Sequence, residues 1–214
     1  LPLKATTWLW WLIIGNIILS KNIEVLWFFL EKNPVSSKKF SEKFLTENYN
    51  SVQNLYLSNV GIGTYLGEPD SKTDEMVTEA VKKSILSGVN VIDTAINYRA
   101  QKSERSIGKA LSELISENLI KREQVFICTK NGYVTNDGDI QEDFMQYVMR
   151  EFGQSGIVKE GDISSGYHCM TIPYLEDQLE RSLKNLDLEC IDLMYLHNAV
   201  EGHPEMSKSD FLEN

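Results

Sequence analysis

The feature that most constrains the fold is an alternation repeated along residues 59–197: a short apolar run, then an amphipathic stretch of helical period. The runs are "NVGIGTY" (59–65), "VNVIDTA" (89–95), "QVFICTK" (124–130) and "CIDLMYLH" (190–197). Strands without polar alternation are buried on both faces, as in a parallel sheet covered by helices. Between the runs, "SKTDEMVTEAVKKSILSG" places Met76, Ala80, Val81 and Ile85 on one face and stops at Gly88, a residue suited to a left-handed cap. "SERSIGKALSELI" takes Ser103 as N-cap and turns Ile107, Leu111 and Leu114 inward; "YLEDQLERSLKNLDLE" aligns Leu175, Leu179, Leu183 and Leu186. Strand, helix, strand, helix predicts an α/β fold with a parallel sheet and right-handed crossovers.

Two parallel architectures compete. A doubly wound sheet opens a helix directly after a Gly-rich phosphate loop, whereas "GIGTYLG" continues as "EPD", and its glycines at 61, 63 and 67 miss the GxGxxG spacing. The alternative is a (β/α)8 TIM barrel, in which ligand-facing residues stand at the carboxyl ends of successive strands. Three consecutive strands end in an ionisable group: Asp93, Lys130 and His197, with Tyr98 in the loop after the second strand. A phenol is a poor proton donor near neutrality, and a neighbouring ammonium stabilises its anion and makes it a usable acid. An aspartate beside the lysine orients it, and an imidazole directs a carbonyl oxygen toward the phenol. No strong nucleophile or metal cage accompanies these groups, so the electrons must come from a cofactor, most simply as hydride.

The segments "VGIGTYLG", "VNVIDTAINYRAQKSERSIGKAL", "QVFICTK" and "YLEDQLERSLKNLDLECIDLMYLH" closely resemble the aldo-keto reductases, NADPH-preferring (β/α)8-barrel enzymes, over about residues 51–198. The resemblance implies that Tyr98 is the general acid, that Lys130 and Asp93 tune it, and that His197 orients the carbonyl. It also implies that Gly63, Thr64 and Asp93 contact the cofactor, with Tyr65 and His197 in the substrate pocket. The reaction implied is reversible reduction of an aldehyde or ketone by NADP(H), with NADH not excluded and a small-molecule carbonyl as substrate.

Only four of the roughly eight strands that close such a barrel are present. The chain therefore reads as the N-terminal half of a barrel, a fragment or truncated product with a complete tetrad and an incomplete cofactor site. Its open strand edges favour self-association. A different class stays open beside the enzyme: a non-catalytic barrel serving as a binding or regulatory subunit, or an inactive fragment.

The charge balance supports a small-molecule ligand. With 31 Asp and Glu against 21 Lys and Arg, the net charge of -10 argues against nucleic acid and anionic lipid. Cys128, Cys169 and Cys190 form no CxxC pair, so neither a disulfide framework nor a zinc site is expected, and a reducing cytoplasm fits. Residues 1–50 are read as an apolar segment and linker outside the family domain, which occupies 51–214. The apolar core from Trp8 to Leu19 is shorter than the roughly 20 residues of a membrane span and lacks a cleavage signature.

The connection from Asn131 to Pro173 is long, and its Tyr133, Phe144, Tyr147 and Phe152 suit either a substrate lid or short helices packing the barrel rim. His168 and Cys169 in "YHCM" are expected to be loop packing rather than a metal pair, and His203 to lie exposed in a polar tail. Cys128 reads as a small buried hydrophobe. Glu104 and Arg105 read either as a charge pair supporting the Tyr98 loop or as a solvated first helical turn.

Overall fold

A computed structural model of the chain describes residues 34–52, 55–207 and 209. The apolar segment expected at Trp8 to Leu19 lies outside the described residues. The described chain opens with helix α1 (Pro34–Ser41) and an antiparallel hairpin of β1 (Tyr49–Val52) and β2 (Leu55–Ser58). Four further strands follow with helices between them: β3 (Gly61–Gly63), α2 (Ser71–Leu86), β4 (Val91–Asp93), α3 (Lys102–Ser116), β5 (Phe126–Asn131), α4 (Phe144–Val148), α5 (Ile172–Leu186), β6 (Leu193–Leu196) and α6 (Ala199–Gly202). The four strands form one parallel sheet in chain order, β3-β4-β5-β6.

The register decides what each face of that sheet carries. Gly63 pairs with Asp93, Asp93 with Cys128, and Lys130 with Tyr195. Because side chains alternate with period two, Gly63, Asp93, Cys128, Lys130 and Tyr195 share one face and Ile62, Ile92 and Ile127 the other. The isoleucine face meets the helices. Ile92 and Ile127, both fully buried, pack with Val81 and Ile85 of α2, Ile107, Leu111 and Leu114 of α3, and Leu186 of α5. Burying each such side chain is worth roughly 1.5–3 kcal/mol, which holds the helices on that side and leaves the other for polar groups.

The helix faces differ in detail from the periodicity. In α2 the buried residues are Thr78, Val81 and Ile85, while Met76 is 63% exposed and Ala80 is also exposed. The Thr78 hydroxyl lies 3.2 Å from the Ser106 carbonyl of α3, and this contact turns the 78–81–85 stripe inward. In α5, Tyr174, Gln178 and Ser182 are buried and Leu179 and Leu183 only half-buried. α3 starts at Lys102 after a left-handed turn at Arg99, Ala100 and Gln101 (φ 51°, 51° and 74°). Ser103 is therefore not the cap; its hydroxyl donates to the Thr64 carbonyl at 2.8 Å.

Gly108 marks the closest approach of α3 to the end of α5. A β-carbon there would stand 2.7 Å from the Asn185 carbonyl oxygen and 2.8 Å from the Leu186 carbonyl. The obstacle is backbone, which has no rotamer to give. Gly108→Ala is expected to lower stability in urea melts by about 1–3 kcal/mol despite the better helix propensity of alanine. An increase in stability would mean that α3 and α5 are not held this closely.

The segment read as a linker before the barrel is folded where it is described. Phe40 of α1 is 2% exposed and packs against Phe44, ring centroids 5.3 Å apart, at the edge of the main core. The long connection after β5 has its own core of Val134, Tyr147, Val148, Phe152, Val158, Cys169 and Tyr174. Short helices packing the rim describe most of this insertion: of the four aromatics expected there, Tyr147 and Phe152 are buried and Phe144 is 36% exposed, and Tyr133 alone reaches the strand ends, 4.8 Å from the His197 ring. No helix among the described residues is long and apolar enough to cross a membrane.

Candidate active site

The carboxyl ends of β4, β5 and β6 bring the four chemistry-bearing groups together. Beyond Asp93 the chain stays tied to β5, with the Thr94 N–H donating to the Cys128 carbonyl at 2.9 Å and the Ile96 N–H to the Lys130 carbonyl at 3.1 Å. A turn closed by the Tyr98 N–H on the Ala95 carbonyl (3.1 Å) then folds the phenol back over the strand ends. Arg99 secures the turn from behind: its fully buried guanidinium pairs with Asp74 and donates to the Glu68 carbonyl at 3.0 Å.

Lys130 sits at the centre. Its Nζ donates to Asp93 Oδ2 at 2.7 Å, to the Thr94 carbonyl at 2.7 Å and to the Tyr98 hydroxyl oxygen at 3.2 Å. Three acceptors match the three protons of an ammonium, and the side chain is only 16% exposed. The positive charge is thus fixed beside the phenol oxygen in a site where water screens it weakly. Asp93 keeps 46% of its side chain exposed, so the carboxylate that anchors the lysine is also open to a ligand.

His197 follows β6, held by its N–H on the Asn131 carbonyl at 2.8 Å. Its ring stands edge-on to Tyr98 with centroids 5.6 Å apart, and Nδ1 lies 3.1 Å from Asn97 Oδ1. Burial, reinforced by the Lys130 charge, pushes the imidazole down to about 4, so the ring is neutral at ordinary pH. Tyr65, 66% exposed, covers the other side of Tyr98 edge-on at 5.0 Å, and Tyr133 lies 4.8 Å from the His197 ring.

The remaining expected contacts divide. At Gly63 a β-carbon would meet nothing within 4 Å, so the end of β3 is open beside Asp93. Thr64 is turned inward: it is 4% exposed and its hydroxyl bonds Thr94 Oγ1 at 2.8 Å. Its side chain therefore supports the floor of the site, and its backbone is engaged as well, the N–H donating to the Asp93 carbonyl at 3.2 Å and the carbonyl accepting the Ser103 hydroxyl. Among the described residues no group of three or more His, Cys, Asp and Glu is arranged to hold a metal.

Asn97 and Arg99 were not singled out in the sequence, whereas Tyr133, one of the four aromatics expected as a lid or as rim packing, stands against His197. Asn97 directly precedes Tyr98, so the motif itself contained the signal. Nothing in the pattern around Tyr133 distinguished it from Tyr147 or Phe152, which are buried elsewhere. His203 was expected to be exposed and is 9% exposed, its Nε2 3.0 Å from His168 Nδ1. Cys128 is a buried thiol, 6% exposed, as expected.

Known proteins are similar to much of this chain. Aldose reductase B of Dictyostelium discoideum is 40% identical over 138 residues, 64% of this chain and 31% of that protein. Aldo-keto reductase family 1 member C23 of Equus caballus is 26% identical over 149 residues, 70% of this chain and 34% of that protein. The chain thus spans about a third of the length of these relatives. Among solved structures, the holo form of an aldo-keto reductase from Bacillus halodurans matches 74% of this chain and 44% of that one, at 22% identity and a TM-score of 0.45. The model of the Aldo/keto reductase family matches residues 59–214. With that match across most of its length, the chain belongs to the aldo/keto reductase family.

Proposed function

We propose that the site takes part in NAD(P)H-dependent interconversion of a small aldehyde or ketone with its alcohol, within a catalytic unit covering residues 51–214. The observation that carries this reading is the Lys130 ammonium held between Asp93 and the Tyr98 hydroxyl. Tyr98 donates the proton to the carbonyl oxygen. Lys130 stabilises the negative charge left on the phenol, and Asp93 holds the lysine aimed at it. His197, neutral above about pH 4, is held at Nδ1 by Asn97, which leaves Nε2 to direct the substrate oxygen toward Tyr98.

The residues present fit the nicotinamide end of such a cofactor. The half-exposed Asp93 carboxylate suits a ribose hydroxyl, and the open space at Gly63 leaves room for a flat ring beside it. When bound, the cofactor supplies hydride to the carbonyl carbon. NADPH is the proposed cofactor on family grounds, the cytoplasm the proposed location, and the sheet edges at β3 and β6 the proposed route to self-association.

The test is Tyr98→Phe in the full chain, read by NADPH-dependent aldehyde turnover and by NADPH binding in titration calorimetry. Loss of turnover by about 10²-fold or more with NADPH binding retained is expected. Unchanged turnover would remove Tyr98 from the reaction. NADPH binding with no turnover in either protein would favour a binding subunit.

A further inference from the structure

We infer that His168, contributed by the insertion after β5, is a positioning residue for His197, holding the end of β6 through its backbone carbonyl. The inference rests on the role proposed for His197 above. The segment bearing His168 is bonded to the exit of β5: the Cys169 N–H donates to the Gly132 carbonyl and the Val134 N–H to the Tyr167 carbonyl, both at 2.8 Å. From there the ring reaches across to the next strand, and its Nε2 lies 2.7 Å from the His197 carbonyl oxygen.

The chemistry of that contact fixes the tautomer. A carbonyl oxygen only accepts, so Nε2 carries the proton. Burial holds the His168 imidazole below the usual histidine range and hence neutral, which leaves Nδ1 as an acceptor for the His203 Nε2–H at 3.0 Å. His203 Nδ1 in turn faces Glu205 at 3.3 Å, and Glu205 takes the Ser164 hydroxyl at 3.1 Å. All three histidines of the chain therefore meet in one run of contacts that ends at the His197 backbone.

The packing around the ring is specific to it. His168 is fully buried between Gly132 and Gly202. A β-carbon on Gly132, where φ is +108°, would stand 2.7 Å from Nε2, and one on Gly202 would stand 2.5 Å from Cγ. Both glycines leave the space the imidazole fills, one on each of the chain segments it joins. A phenylalanine would fill much of the same slot, but only a donor at the Nε2 position engages the carbonyl. The insertion thus reaches the reacting groups through this hydrogen bond rather than by covering them, and a 1 Å misplacement of a group such as His197 costs on the order of 10²-fold in rate.

The experiment compares His168→Phe with His168→Gln, whose side-chain amide reaches about as far as Nε2, in the full chain. Long-range proton–nitrogen NMR of the three ring systems gives the tautomer of His168 and the titration of His197. The wild-type chain is expected to show His168 protonated at Nε2 and His197 titrating at about 4. In His168→Phe the His197 midpoint is expected to rise toward 6.5 as its ring loosens into water, and in His168→Gln, which loses the same direct repulsion from His168 but keeps the donor to the carbonyl, to rise much less. Aldehyde turnover should fall about tenfold or more in the Phe variant at unchanged NADPH binding by calorimetry and recover in the Gln variant.

An unchanged His197 midpoint in folded His168→Phe, or a His168 proton found on Nδ1, would overturn the inference. Should His168→Phe not fold, His168→Asn, one methylene too short for the carbonyl, takes its place, and Asn behaving like Gln is then the overturning result. The NMR readout does not require turnover, so it separates failure of the positioning role from failure of the proposed reaction.

Discussion

Lys130→Met is expected to lower NADPH-dependent aldehyde turnover by about 10²- to 10⁴-fold while leaving the chain folded and able to bind NADPH in titration calorimetry. Methionine keeps the length and volume of the lysine stem and removes the charge. The ammonium touches three oxygens, those of Asp93, Thr94 and Tyr98. Asp93 is open to water, which replaces its lost partner at modest cost. Tyr98 has no such substitute: proton donation leaves negative charge on its oxygen, and Lys130 is the cation held 3.2 Å away. Arginine is not expected to rescue the variant, because a planar fork cannot direct three protons from one nitrogen to converging acceptors. Turnover within a few-fold of wild type in Lys130→Met would mean that the proton comes from another group.

Glu104→Leu is expected to destabilise the fold by about 2–5 kcal/mol in urea unfolding, with Glu104→Gln much milder. Glu104 is fully buried, so neither the solvated first turn nor the pairing with Arg105 describes it. Its carboxyl accepts the Thr129 hydroxyl at 2.7 Å and the Asn185 amide at 2.9 Å, linking α3 to β5 and α5. Leucine leaves the buried Thr129 hydroxyl, next to Lys130, without this acceptor and the Asn185 amide with Gln101 Oε1 at 3.2 Å as its remaining one. Arg105 turns outward instead, to Asp137 and Asp139 of the insertion.

Glu104 also gives the fold a pH dependence of definite sign. Burial raises its carboxyl above the usual carboxylate value of 4.5, further than its hydrogen bonds lower it. The folded state therefore holds the proton more tightly than the unfolded state. The stability this contributes is complete below about pH 4.5 and is lost as pH rises through the folded value. Glutamine does not titrate, so the stability of Glu104→Gln relative to wild type is expected to improve between pH 4 and pH 8. Melts that show a constant difference across that range would contradict the assignment.

The four groups at the strand ends were legible because a parallel sheet converts position in the chain into position in space. Once the runs ending at Asp93, Lys130 and His197 are neighbouring strands, their carboxyl ends must lie side by side, and Tyr98 has only one short turn in which to return. Glu104 was not legible for the converse reason. An acidic residue in a first helical turn has the same local pattern whether water or another helix covers it. The covering helix, α5, comes about 70 residues later and meets α3 because Gly108 allows the approach. His203 was misjudged in the same way, since its polar neighbours in sequence are not its neighbours in space.

By itself, then, the sequence determined the alternation of buried strands with amphipathic helices, the identity of the groups at the strand ends and the chemistry those groups can share. These depend on short-range periodicity and on side-chain types, which are present in the chain before it folds. The tertiary structure alone decided which polar residues are buried, how Thr64 is turned away from the site, and how the insertion after β5 reaches His197 through His168. Those outcomes depend on contacts between segments far apart in the chain, where the space left by Gly108, Gly132 and Gly202 selects what can pack.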